Sequence, residues 1–85
     1  MLEKFHYETD PMVCSSVIDI ELEQGVIRRA EFRGGCAGNL TAVSRLVAGL
    51  TPEQAIATLK GIRCGGKPTS CPDQLARALE TMLRG

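Results

Sequence analysis

From residue 18 the chain alternates between apolar and charged positions. Ile18, Ile20 and Leu22 fall on one side, and Asp19, Glu21 and Glu23 on the other. That period of two predicts a strand with one buried face. Gln24-Gly25 follows as a turn, with Gly25 able to take a positive φ. Val26, Arg28, Ala30 and Phe32 then alternate with Ile27, Arg29, Glu31 and Arg33, which predicts a second strand folded back on the first. Carboxylates on one strand facing arginines on the other support antiparallel pairing, by up to about 1 kcal/mol per pair. The plain reading of this charge is a solvated sheet face. Ahead of the hairpin, Phe5-His6-Tyr7 reads as a short strand that breaks at Thr9-Asp10-Pro11.

Beyond residue 34 the period becomes helical. Leu40, Val43, Leu46, Val47 and Leu50 recur at helical spacing, with Asn39 as N-cap and Gly49 as the stop. Thr51-Pro52-Glu53-Gln54 opens a second helix with a capping box, and Ala55, Ile56 and Leu59 form its apolar face up to Gly61. A last helix is predicted from Pro72 to about Leu83, with Leu75, Leu79, Met82 and Leu83 inward and Arg77 and Arg84 toward solvent. Strands first and helices after predict an α+β fold: a small three-stranded antiparallel sheet followed by three helices packed on one face. Residues 1–85 are expected to form a single domain.

Charge and aromatic content narrow the partners. Ten basic residues balance ten acidic ones, so no polyelectrolyte partner is implied. One Tyr, two Phe and no Trp leave little on which to stack bases, so nucleic acid is a weakly supported partner. No apolar run approaches the roughly 20 residues that span a membrane, and Met1-Leu2-Glu3-Lys4-Phe5 lacks the apolar core of a signal peptide. A cytoplasmic protein with no membrane contact is expected. In that reducing compartment four cysteines call for something other than structural disulfides. A chain of 85 residues also gains from a staple.

The cysteines are Cys14, Cys36, Cys64 and Cys71, separated by stretches 15–35, 37–63 and 65–70. No C-x2-C knuckle is present, so spacing alone is a weak zinc signal. Placement says more. Cys14 opens one strand of the hairpin and Cys36 follows the other, which brings them to the same end of the sheet. Cys71 is predicted as the N-cap of the last helix, with Pro72 at its first position. A helix returning antiparallel to its predecessor carries Cys71 back to that end, and Cys64 reaches from the loop. Four thiolates there would form a tetrahedral all-sulfur site suited to zinc or to an iron–sulfur centre. Two other readings stand beside it. The cysteines are also explained as small buried hydrophobes, or Cys64 and Cys71 as a thiol–disulfide pair, though their spacing is too wide for a thioredoxin-type motif. His6, the single histidine, reads as a surface strand residue, since nothing pairs with it at ligand spacing. The glycine-rich stretches at 34–38 and 65–67 lack the endings of phosphate-binding loops. Ser15, Ser16 and Ser70 have no neighbouring histidine to act as base.

Thr69-Ser70-Cys71-Pro72-Asp73 spells the signature for which the TSCPD domain is named. Val13-Cys14-Ser15, Phe32-x-Gly-Gly-Cys36-x-Gly-Asn39-Leu40, Leu59-x-Gly-Ile-x-Cys64-Gly and Asp73-Gln74-Leu75-Ala76 extend the similarity over nearly the whole chain. The sequence resembles the short, stand-alone branch of that family, and the same domain occurs at the C-terminus of cobalamin-dependent ribonucleotide reductases. The resemblance supports Cys14, Cys36, Cys64 and Cys71 as metal ligands. It implies an accessory role associated with ribonucleoside-diphosphate reductase and deoxyribonucleotide synthesis, with a reductase or related enzyme as protein partner. It does not confer the reductase reaction, which needs a large barrel with its own radical-generating site. A more distant similarity is to U-type iron–sulfur scaffold proteins, which carry three cysteines at matching places, an Asp two residues after the first and often a His before the last. Here Ser16 and Ser70 stand at those two positions and Cys64 is additional. That similarity implies an iron–sulfur cluster scaffold or carrier as the alternative to zinc. A thiol-redox module serving a reductase is a third reading.

Overall fold

The computed structural model describes residues 2–11, 13, 15–34, 37–63, 66 and 68–84. Strands β1 (Leu2–Glu8), β2 (Ser15–Glu23) and β3 (Val26–Gly34) precede helices α1 (Ala37–Val47), α2 (Pro52–Leu59) and α3 (Cys71–Arg84). The sheet is an antiparallel meander in the order β1-β2-β3, so the α+β arrangement predicted from the hydrophobic pattern is the observed one. β1 is longer than the three residues expected, because β2 offers it partners along its whole length, from Leu2↔Glu23 to Glu8↔Val17.

The β2–β3 hairpin closes in two residues. Glu23 pairs with Val26, while Gln24 (φ 53°) and Gly25 (φ 77°) both adopt left-handed backbone. That combination belongs to the mirror-image turns whose twist matches the strands they join. The simple alternation expected along β3 does not hold. Leu22 pairs with Ile27 and Glu21 with Arg29, so Arg28 is an extra residue in β3. This bulge puts Arg28 and Arg29 together on the solvent side and returns Ala30 and Phe32 to the side of Ile27. Ile27 is 1% exposed, whereas Val26 is only half-buried.

The buried face of the sheet carries Ile18, Ile20, Leu22, Ile27 and Ala30, and it meets Val47, Ala55, Leu59, Leu75, Ala76, Ala78 and Leu79 from the helices. Phe5 and Tyr7 pack against the edge of this core, with ring centroids 6.3 Å apart. The opposite face is charged. Asp19 accepts from His6 Nδ1 (2.7 Å) and Arg33 Nε (2.9 Å), Glu23 from Arg28 (2.7 Å), and Arg29 bridges Glu21 and Glu31. The hydrogen bond from His6, ahead of the Arg33 contacts, holds the Asp19 carboxyl below its ordinary value. Exposed pairs of this kind contribute about 1 kcal/mol at most.

α1 packs on β3, and α2 packs chiefly on α3. α2 begins as its sequence requires: the Thr51 side chain accepts from the Gln54 amide and the Gln54 side chain accepts from the Thr51 amide. α1 departs from expectation. It starts at Ala37, so Asn39 lies within it rather than capping it. Leu46, expected inward, is 75% exposed. It sits about 100° around the helix from Val47, and α1 buries only the narrower stripe through Leu40 and Val47. Leu83, also expected inward, is half exposed, beyond the last fully covered position at Leu79. Past α1, the Gly49 amide donates to Ile27 O and the Ile27 amide to Leu50 O, both at 2.8 Å, which ties the α1–α2 connection to the outer edge of β3. No helix among the described residues is long and apolar enough to cross a membrane.

The turn makes a direct prediction. Gln24→Gly removes a side chain from left-handed backbone and should stabilise the fold by about 0.5 kcal/mol, whereas Gly25→Ala should cost about 1 kcal/mol. Urea unfolding of the two variants measures both signs.

Candidate functional site

The signature residues 69–73 surround the first turn of α3. Ser70, not Cys71, is the N-cap: its hydroxyl oxygen accepts from the Asp73 amide (3.2 Å), and its carbonyl accepts from the Gln74 amide (2.8 Å). Cys71 is the first helical residue and Pro72 the second. The one-residue shift has a chemical reason. A serine hydroxyl is a strong acceptor for an orphan amide, whereas sulfur is a weak one. The Ser70 hydroxyl also donates to the Ile62 carbonyl (2.7 Å), so the cap holds the preceding loop as well.

Asp73 is the centre of the site. Its carboxylate is 1% exposed and accepts from three donors: the Gly61 amide (2.7 Å), Thr69 Oγ1 (2.5 Å) and Arg77 Nε (2.8 Å). Buried Gln74 extends the network. Its Oε1 accepts from the Asp10 amide (2.9 Å), and its Nε2 donates to Thr69 Oγ1 (2.9 Å). The direction of every bond follows from one fact: a backbone N–H can only donate. The Asp10 amide therefore faces Gln74 oxygen, the Gln74 nitrogen must donate to Thr69, and the Thr69 proton goes to Asp73. The chain of donors ends on a carboxylate that accepts everywhere. Among the described residues no buried side-chain nitrogen or oxygen lacks a partner. Burial pushes the Asp73 carboxyl up, but the bonds from Thr69, Gly61 and Arg77 outweigh it and hold the group below its ordinary value. The carboxylate also sits in the first turn of α3, where the helix dipole favours negative charge.

These roles of Thr69, Asp73 and Gln74 were not apparent in the hydrophobic pattern. The available signal was Ser70-x-x-Asp73, the spacing of a capping box. Here Asp73 reaches outward to Gly61 and Thr69 instead of back to the cap. Arg77, expected merely to face solvent, has a half-exposed side chain whose Nε is committed to Asp73.

Of the four candidate metal ligands, Cys71 lies at the start of α3 and is partly buried. Cys14, Cys36 and Cys64 lie outside the described residues. Their described neighbours are closely tied. Ser15, next to Cys14, is the register partner of Gly34, two residues before Cys36. Gly61 and Ile62, just before Cys64, are bonded to Asp73 and Ser70 on either side of Cys71. The Asp10 amide brings the β1–β2 connection to Gln74, three residues after Cys71. Among the described residues no group of three His, Cys, Asp or Glu side chains is placed to hold a metal ion. His6 is exposed on the charged sheet face, as expected of a surface strand residue. Ser16 donates to Arg33 O (3.3 Å) and Ser70 is a cap, so both hydroxyls have structural roles.

Removing the Asp73 carboxylate takes the acceptor from the buried Thr69 hydroxyl and from the Gly61 amide and leaves a cavity at a fully buried position, so Asp73→Ala should cost about 3 kcal/mol. Arg77→Ala, which vacates a half-exposed position, should cost much less. Because its folded-state value is lowered, Asp73 contributes stability that is complete above about pH 4–5. That contribution is lost as pH falls through the unfolded-state value toward the folded one. Urea unfolding at a series of acidic pH values should show this slope in the parent protein and a shallower one in Asp73→Asn.

No curated relative and no solved structure matches the chain. The TSCPD domain family matches residues 2–83, which is nearly the whole chain and includes every residue of the Asp73 network. The chain belongs to the TSCPD domain family.

Proposed function

We propose that the protein is a small metal-binding accessory domain in which Cys14, Cys36, Cys64 and Cys71 hold one zinc ion. The observation that carries this reading is the bonding of Cys71's surroundings. The cap at Ser70 and the carboxylate of Asp73 tie the helix start to the loop that leads to Cys64, and Gln74 ties it to the connection that leads to Cys14. The Ser15↔Gly34 register relates the Cys14 stretch to the Cys36 stretch. Four thiolates suit zinc as a closed, tetrahedral structural site. Asp73 is not a spare ligand, because its oxygens are already engaged by three donors. Zinc held there would contribute folding energy directly.

Family membership supplies the biological side of the reading. We infer an accessory role for a ribonucleotide reductase in the cytoplasm, with that enzyme as protein partner and no catalysis by this domain alone. Two other outcomes belong to different classes, an iron–sulfur carrier and a thiol-redox module.

Metal analysis of anaerobically purified protein, with thiol titration before and after chelation, separates the three. One zinc per chain in a colourless protein, with thiols that become reactive only after chelation, is the expected result. A brown, iron-containing protein would move the reading to the iron–sulfur carrier. Four reactive thiols without metal would remove the shared site. Cys14→Ser or Cys36→Ser should each lose the zinc and unfold at markedly lower temperature, and chelation of the parent protein should reproduce that loss. An unchanged melting curve in both variants would point to thiol chemistry instead.

A further inference from the structure

The outer edge of β3 is divided in two by its own bonding. At Ile27 the outward amide and carbonyl are taken by Leu50 and Gly49. Ile27 is therefore one of the residues whose backbone points away from β2. In an antiparallel pair that direction alternates, and the bulge at Arg28 uses up one extra residue. Ala30 and Phe32 consequently turn their amides and carbonyls to the same open edge. Among the described residues no backbone group from outside the sheet bonds to them.

A groove of about 430 Å³ runs beside this open stretch, between β3 and α1. Phe32 and Leu40 give it an apolar floor, and Arg29, Glu31 and Arg45 stand on its rim. Arg29 is already engaged by Glu21 and Glu31. Arg45 is the rim cation for which no ion pair exists among the described residues. The Ser44 hydroxyl donates to Leu40 O (2.9 Å), so it does not compete for a ligand.

We propose that this groove binds an extended segment of a partner protein, which joins the sheet as a fourth strand along Ala30–Arg33. On the face turned toward α1 the segment carries apolar side chains for the floor and, in the same two-residue repeat, an acidic side chain for Arg45. Main-chain hydrogen bonds supply affinity in strand addition, and alternate side-chain pockets supply selectivity. A second copy of β3 fits poorly. Two such strands would lie about 4.8 Å apart with both α1 helices on the same face, well inside the helix diameter of about 10 Å. An extended segment without a helix of its own avoids that collision.

The test uses the full chain and a synthetic peptide, acetyl-Val-Thr-Glu-Thr-Val-Thr-amide, whose Val and Glu side chains share one face of the strand, followed by amide NMR shifts. Shifts are expected at Ala30, Phe32, Leu40 and Arg45. Arg45→Glu, a change at an exposed helical position, should weaken binding about fivefold, and the peptide with Lys in place of Glu should recover it. Ala30→Pro, which removes an outward amide, and a peptide N-methylated at alternate residues should each abolish the shifts. Shifts confined to β1, equal binding by the N-methylated peptide, or no shifts at millimolar peptide would overturn the proposal.

Discussion

A buried carboxylate with one acceptor role toward three donors organises this small fold. Asp73 is almost fully out of water, and an ion in that position is tolerable only if its oxygens are satisfied. The donors that satisfy it come from the end of α2, from the α2–α3 loop and from the next turn of α3. Because the same carboxylate serves all three, none of them can drift without exposing or orphaning the charge. The loop between the two helices is thus specified by electrostatics, in a region where the chain has little apolar material to specify it by packing.

The network also divides labour within five consecutive residues. Thr69, Ser70 and Asp73 turn their polar groups inward to the fold, while Cys71 takes the first helical position and is partly buried. The backbone at Cys71 is thereby held by the hydrogen bonds of its neighbours. Gln74 extends that order to the β1–β2 connection, so the sheet and the last helix are linked by directed hydrogen bonds as well as by the core. The signature therefore reads as a structural bolt that surrounds one cysteine.

Much of the fold was legible because it rests on local periodicity. The alternation at Ile18, Ile20 and Leu22 and the capping box at Thr51 both appear where the pattern puts them. What escaped detection depended on partners far away in the chain. The bulge at Arg28 follows from registering two strands, and a single alternating pattern cannot announce it. The true cap at Ser70 depends on acceptor chemistry, and the inward role of Asp73 depends on Gly61, twelve residues upstream. The proposed four-cysteine site rests on a convergence of segments. Asp10, Gly61 and Ile62 are bonded to the start of α3 and Ser15 is in register with Gly34, but three of the four thiols lie beyond the described residues.

The extra residue in β3 has an effect beyond the core it fills. It acts as a phase shifter for everything that follows. With it, Ile27 and Ala30 both face the helices, and the strand reaches Gly34 in step with the side on which α1 packs. Without it, one residue fewer would rotate the exit of β3 toward the charged face, and the route into α1 would start from the wrong side of the sheet. One inserted position thus sets which side of the sheet the end of β3 presents to the helical half of the domain.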